Sequence, residues 1–289
     1  MHIPDGFLST PVWGALDAAA LPAVVAITRR AQRGFDESKA PLLGVMGAFV
    51  FAAQMINFPV GPGTSGHLVG GALLACTLGP AAASVVMAAI LAIQALVFQD
   101  GGVLALGPNV INMAVIGVLA GYLPYHLWGR SRGRRVAIFA GGALSVLVSA
   151  VLALSELLVS GVRMTGPVLG VSLGLFVVSA LAEGAITVAV IGALEAIQPD
   201  FVRQPASSRS FALGAAALTA VVLVTGGVLL ASTTPDGIQQ LGQAKALMNT
   251  PLRGYTIPVL GSGWLPKAGA GMAGLALVYG ACVLIGRRR

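Results

Sequence analysis

Residues 67–98 read HLVGGALLACTLGPAAASVVMAAILAIQALVF, without a single charge. An apolar run of this length exceeds the roughly 20 residues that one bilayer-spanning helix needs. It is interrupted at Gly79-Pro80. A proline inside a helix removes one backbone donor and clashes with the preceding turn, so the pair ends or kinks the helix. The run therefore reads as a short helix, His67 to Leu78, followed by a full one, Pro80 to Phe98. This split sets the direction of every later segment.

Working outward, further apolar runs bounded by Gly, Pro and charge appear on both sides. They cover about Thr10–Ala26, Ala40–Asn57, Val103–Trp128, Val136–Ser160, Pro167–Ile197, Phe211–Ala231 and Ala268–Ile285. Phe58–Gly66 between the second run and the split segment is a Gly/Pro loop. The fold class expected is an all-α polytopic membrane protein of about nine helices, with its N-terminus outside and its C-terminus cytoplasmic. Composition agrees. Only 9% of the 289 residues are charged, 56% are hydrophobic and the mean hydropathy is +0.89. Soluble proteins carry roughly 25% charged residues, so a soluble enzyme, a disordered chain and a disulfide scaffold are excluded. Cys76 and Cys282 lie far apart in apolar runs and read as small buried hydrophobes.

Orientation follows from the basic residues. With the N-terminus outside, Arg29, Arg30, Arg33, Lys39, Arg130, Arg132, Arg134, Arg135, Arg203, Arg209, Arg287, Arg288 and Arg289 fall on inner loops. Only Arg163, Lys245, Arg253 and Lys267 fall outside. Cytoplasmic loops carry the excess of Lys and Arg. An unbroken helix across Gly79-Pro80 would put the Arg130–Arg135 cluster outside. The net charge of +7 thus belongs to membrane loops and not to a nucleic-acid surface.

Small residues recur every four positions at Gly44, Ala48 and Ala52, at Gly166, Gly170 and Gly174, and at Gly117 and Gly121. Such ridges let helices approach closely in lipid, either inside one bundle or against a separate membrane subunit. The polar stretch QPDFVRQPASSRS, Gln198 to Ser210, marks a boundary. Two units are expected: residues 1–200, and residues 201–289 with two helices and an outside loop, Ser232 to Lys267, that contains Pro235-Asp236-Gly237.

Intramembrane ionisable groups point to function by default. Glu183 lies mid-helix and reads as a hydrogen-bonded or protonated structural group or as part of a proton or cation path. Glu156 and Glu195 lie near helix ends. The sharper constellation is the amino terminus. Met1 and His2 offer an amine, an amide nitrogen and an imidazole in succession. Amine and amide close a five-membered chelate ring, and the imidazole Nδ1 adds a six-membered one. One further nitrogen completes a square plane, a geometry of Ni(II) or Cu(II) and not of zinc. His67 follows a Gly-rich loop on the outer side and is the better fourth donor. His126, beside Trp128 at the inner end, reads as interfacial.

Three stretches, MHIPDGFLS at the start, NFPVGPGTSGHLVGG from Asn57 to Gly71 and LGPNVINM from Leu106 to Met113, strongly resemble the NikM/CbiM family. These are substrate-capturing membrane subunits of energy-coupling factor transporters for nickel or cobalt. The resemblance covers about residues 1–200. The tail looks like the NikN/CbiN-type accessory unit, fused into the same chain. The resemblance implies metal ligation by Met1, His2 and His67, with Asn57, Ser65 and Asn109 as supporting groups and Asp5 holding the N-terminal segment. Pro108 stands where members often have a small residue.

The resemblance further implies capture of Ni²⁺ at the outer face of a bacterial plasma membrane. IPDG after His2 looks more like nickel members, and Co²⁺ is the alternative. The chain has no GxxxxGK[ST] motif. The partners implied are a membrane coupling subunit and two ATP-binding cassette subunits, with no enzyme activity and no cofactor of its own. A proton-coupled carrier working through Glu183 is a rival reading. An intramembrane metalloprotease lacks its HExxH motif.

Overall fold

The computed structural model describes residues 1–33, 36–199, 201–202, 211–245 and 247–287. Arg203, Arg209, Arg288, Arg289 and most of the expected linker lie outside these residues. Helical segments follow in the order that the apolar runs set. They are α1 (Thr10–Arg33), α2 (Ala40–Gln54), α3 (Gly71–Leu78), α4 (Pro80–Phe98), α5 (Leu106–Trp128), α6 (Arg134–Val159), α7 (Gly166–Ile197), α8 (Phe211–Leu229) and α9 (Leu265–Gly286). Seven of them are long and apolar enough to cross a membrane; α2 and α3 have 15 and 8 residues. At 1.5 Å per residue α3 rises only about 12 Å, so the Gly79-Pro80 break leaves a short half-crossing before α4.

The structure departs from the expected boundaries where polar contacts compete with helix. Residues 67–70 do not join α3. The Glu183 carboxylate on α7 accepts the Val69 and Gly70 amides, both at 2.7 Å. Gly70 turns at φ +80°, and a Cβ there would lie 2.5 Å from Val50. The Phe58–Gly66 loop is a small antiparallel hairpin, β1 (Phe58–Gly61) with β2 (Thr64–Gly66). The fifth helix starts at Leu106 and not Val103, because Asp5 takes the Val103 and Leu104 amides. Residues Val110–Ile116 widen into a π-helical stretch. The Ser149 hydroxyl on α6 bonds the Asn112 carbonyl within it, as such bulges require a replacement partner.

The small-residue ridges divide into two kinds. Gly44 faces Tyr279 and Val283 of α9, and Gly121 faces Ala72 and Ser145. Those two ridges pack the bundle. Gly166, Gly170 and Gly174 meet no atom within 4 Å of an added Cβ. α6 and α7 cross closely at Gly142 and Gly184: a Cβ on Gly142 would lie 2.8 Å from the Gly184 Cα, and one on Gly184 2.7 Å from the Phe139 carbonyl. The two C-terminal helices are packed directly on the bundle, with α8 and α9 flanking α2. Where α6 begins, Arg134 pairs with Glu195 in a two-bond fork, at 2.7 and 2.5 Å. Glu156 accepts from the Asn112 amide at 2.9 Å. Both acids thus have partners near the helix ends.

Overpacking a well-fitted contact costs about 1–3 kcal/mol. Gly142→Leu is expected to lower the thermal unfolding midpoint of the detergent-solubilised chain sharply. Gly170→Leu is expected to leave it within error. Equal midpoints for the two variants would contradict the close α6–α7 crossing.

Candidate metal centre

The chain begins in the interior. Met1, His2 and Ile3 are 8%, 1% and 0% exposed, which is far from the usual fraying of a terminus. The segment is held by its main chain. Asn109 at the start of α5 accepts the Ile3 amide at 2.8 Å and donates to the Ile3 carbonyl at 3.1 Å, imitating a strand neighbour. Gly102 donates to the same carbonyl. Gly102 must be glycine, since a Cβ would fall 2.6 Å from the Asp5 nitrogen. The Asp5 carboxylate locks the turn from the other side through Val103 and Leu104.

His67 comes from the opposite wall. Its Nδ1 lies 2.8 Å from the Leu68 carbonyl. That bond places the ring proton on Nδ1 and leaves the Nε2 lone pair free. Nε2 points at the Met1 amino nitrogen, 2.8 Å away. Burial, followed by the positive amino group and His2, pushes His67 down to about 3, so its imidazole is neutral. The His2 ring stacks parallel to His67, with centroids 5.1 Å apart and planes 9° apart. Neither His2 ring nitrogen has a hydrogen-bond partner among the described residues. The Nδ1 atom lies 3.2 Å from Asp100.

Three groups at this site were not anticipated. Asp236 of the tail binds the Met1 amino group at 2.5 Å. Burial opposes ionisation of its carboxyl, but the amino group and His67 outweigh that and hold it below the usual carboxylate range. Its other oxygen caps the turn that carries it, accepting the Ile238 and Gln239 amides at 2.9 Å. Asp100 follows α4, and Tyr255 of the tail donates to it at 2.6 Å. Burial works against an ionised Asp100 as well, yet His2, His67 and Tyr255 hold it low. Burial, then the facing carboxylate, lifts the Tyr255 hydroxyl well above its ordinary range. One signal for Asp236 was available: it is the only acidic residue between Ser232 and Lys267.

Asn57, Ser65 and Asn109 fall around this centre in different ways. Asn109 fastens Ile3. Ser65 donates to the Thr234 and Pro235 carbonyls at 2.6 and 3.3 Å and so fastens the turn bearing Asp236. The Asn57 carbonyl accepts from Ser232, and its side chain faces a cavity. His126 is exposed beside Tyr122, far from the centre. Among the described residues no three His, Cys, Asp or Glu side chains form a metal-holding group. The 2.8 Å between Met1 nitrogen and His67 Nε2 suits two neighbouring corners of a square whose centre lies about 2.0 Å from each, an ordinary metal–nitrogen length.

A multi-pass helical membrane protein with a nitrogen-lined pocket at the buried start of its chain defines a narrow class. The family profile described as cobalt uptake substrate-specific transmembrane region matches residues 2–201. The chain belongs to this CbiM family. A putative fused nickel transport protein NikMN of Archaeoglobus fulgidus is 36% identical over 95% of this chain and 93% of its own. A cobalt transport protein CbiM of Acetoanaerobium sticklandii is 30% identical over 69% of this chain and 86% of its own. A solved truncated transition metal transporter superposes with a TM-score of 0.60 at 32% identity, over 67% of this chain and 98% of that one.

The Glu183 carboxylate explains its own burial, since it accepts two buried amides just after His67. Glu183→Gln retains one acceptor oxygen and turns an N–H donor toward a second donor. A buried unsatisfied amide costs about 1–3 kcal/mol. The variant is expected to unfold at a lower temperature and to bind added Ni²⁺ more weakly than the parent by absorbance titration. Unchanged stability and unchanged nickel binding together would refute the clamp.

Proposed function

We propose that the chain is the substrate-capturing subunit of an energy-coupling factor-type transporter and takes up Ni²⁺ from the outer face. The observation that carries this reading is the pairing of a buried N-terminal amine with the acceptor Nε2 of His67 at 2.8 Å, beside a buried His2. Chelation by the Met1 amine, the His2 amide and the His2 Nδ1, closed by His67, gives four nitrogens. A four-nitrogen plane with a deprotonated amide favours a d⁸ ion, which supports nickel over cobalt. The Irving–Williams order makes Cu²⁺ a strong competitor in the test tube.

The site lies at the end of the bundle remote from the Arg29–Arg33 and Arg130–Arg135 clusters. The positive-inside rule then puts the pocket outside and those clusters in the cytoplasm. Energy enters through partners, a membrane coupling subunit and two ATPase subunits, because the chain has no nucleotide-binding motif of its own. Residues 1–200 form the capturing unit and residues 201–289 an accessory unit that supplies Asp236 and Tyr255 to the pocket. The carrier reading loses its main support, since Glu183 is occupied by the Val69 and Gly70 amides.

The test is a visible spectrum with metal content of the purified chain bearing its native N-terminus. Expected is a yellow planar-nickel band at about one metal per chain, absent from a chain with one residue added before Met1. His67→Ala is expected to abolish the band as well. Binding indifferent to the added residue would overturn the N-terminal chelate, and retention of cobalt over nickel would change the substrate. In cells, deletion of residues 211–289 is expected to cut nickel uptake severely, and full uptake would remove the accessory role.

A further inference from the structure

Asp17 is an acid inside a spanning helix. It is the only charged residue between Thr10 and Thr28, about 10 Å along α1 from its start at 1.5 Å per residue. A carboxylate in such a place points to function by default. Its Oδ1 accepts the Gly107 amide of α5 at 2.6 Å. The reason lies in α5. The first turn of a helix has amides with no partner inside the helix. Pro108 has no amide, the Asn109 amide reaches the Ala105 carbonyl, and the Leu106 amide lies 3.4 Å from the Val103 carbonyl. Gly107 is left, and Asp17 caps it from another helix, with its charge at the favourable end of the α5 dipole. The two backbones meet there: a Cβ on Gly107 would lie 2.5 Å from the Asp17 Cα.

Asp17 thereby closes a loop. Residues 1–9 form an arm that runs from the metal centre to α1. Ile3 is bonded to Asn109, Asp5 to Val103 and Leu104, and Asp17 to Gly107. The arm and α1 are thus fastened at three points to one short stretch, residues 103–109. Its two ends are held by Gly107 and Asn109, neighbours on the first turn of α5. Ala20 is the only fully buried side chain of α1, so apolar packing alone grips this helix weakly. Without the Asp17 bond α1 is free to slide or tilt on α5. The arm follows it, because the arm runs directly into Thr10. The Met1 amine stands 2.8 Å from His67 Nε2, so a displacement of about 1 Å breaks the pair.

We propose that Asp17 is a positioning residue for the metal centre. It acts through Gly107 and not on a metal ligand. By capping α5 from α1 it fixes the distance that the arm must cover, and so holds the Met1 amine against His67. The inference rests on reading Met1, His2 and His67 as that centre. It adds a residue inside the first span on which the geometry of the centre depends. Asp17→Ala removes the acceptor, while Asp17→Asn keeps an oxygen for the Gly107 amide. Gly107→Ala leaves the carboxylate in place and forces the two helices apart. Asp17→Ala and Gly107→Ala therefore release the arm by different means.

The test reads the amine and the metal separately. Full-length chain with its native N-terminus is treated with acetic anhydride at neutral pH, where an exposed α-amine reacts ahead of lysine because it loses its proton more readily. Labelling of Met1 is followed by mass spectrometry, and Ni²⁺ binding by absorbance titration of separate samples. Expected is slow labelling in the parent and in Asp17→Asn, and labelling about tenfold faster in Asp17→Ala and Gly107→Ala. Nickel binding is expected to weaken about tenfold in the same two variants, as when a group that orients a metal ligand is lost. Glu195→Ala, which breaks the Arg134 fork, is the control for stability. It is expected to lower the unfolding temperature and leave both readings at the parent's values. Parent-like labelling in Asp17→Ala and Gly107→Ala overturns the proposal. Faster labelling with nickel binding unchanged overturns it too, because the amine then moves without loss to the centre. An equal change in Glu195→Ala makes the effect a general loss of stability and also overturns it. Variant-dependent labelling in a chain that shows no nickel band overturns the nitrogen centre and leaves the positioning of the amine standing.

Discussion

The carboxylate of Glu183 accepting the Val69 and Gly70 amides is the contact on which the pocket depends. It is a buried acid with no cation beside it among the described residues, and two main-chain donors give it partners. The same bonds stop α3 from starting at His67. They fix the path of the chain between β2 and α3 against α7. With that path fixed, the Leu68 carbonyl receives Nδ1 of His67 and Nε2 is left facing the amino terminus. A single side chain on a long helix thus determines tautomer and direction of a ring two residues from the clamp.

The other half of the pocket is built without relying on side-chain packing alone. Ile3 is bonded through both main-chain groups, by Asn109 and by Gly102. Asp5 closes the neighbouring turn. The first residue is consequently as well placed as a core residue, and its amine can serve as a functional group. The chain start is pinned at one end of α5, whose π-helical stretch is held by Ser149 from α6. Position of the amine and packing of α5 against α6 are therefore parts of one structure.

Most of the helices were legible in sequence, because apolar runs, Gly79-Pro80 and the basic loops are local signals. The chelate of Met1 and His2 was argued from covalent spacing, and the structure sets His67 Nε2 beside the Met1 amine. The shortened α3, the hairpin and the late start of α5 were not. The hairpin is a local pairing that the Gly/Pro composition does not reveal, while the first and last are caused by a partner far along the chain, Glu183 for Val69 and Asp5 for Val103. Asp236, Asp100 and Tyr255 were missed for the same reason. Pro235-Asp236-Gly237 was visible as part of an outside loop, but its docking on Ser65 is a tertiary event with no periodicity to announce it.

That docking changes what the tail is. Ser65 binds the Thr234 and Pro235 carbonyls, Lys245 donates to the Asp5 carbonyl, and Leu252 donates to the Val97 carbonyl. The tail is stapled to the hairpin, the amino terminus and the end of α4 in turn. Its two carried groups then meet the two halves of the candidate centre separately, Asp236 at the Met1 amine and Tyr255 through Asp100 at His2. A loop fixed at three places and touching Met1 directly and His2 through Asp100 cannot move without altering both contacts. Asp236 and Tyr255 therefore belong to one wall of the pocket, and any motion that opens it has to displace that wall.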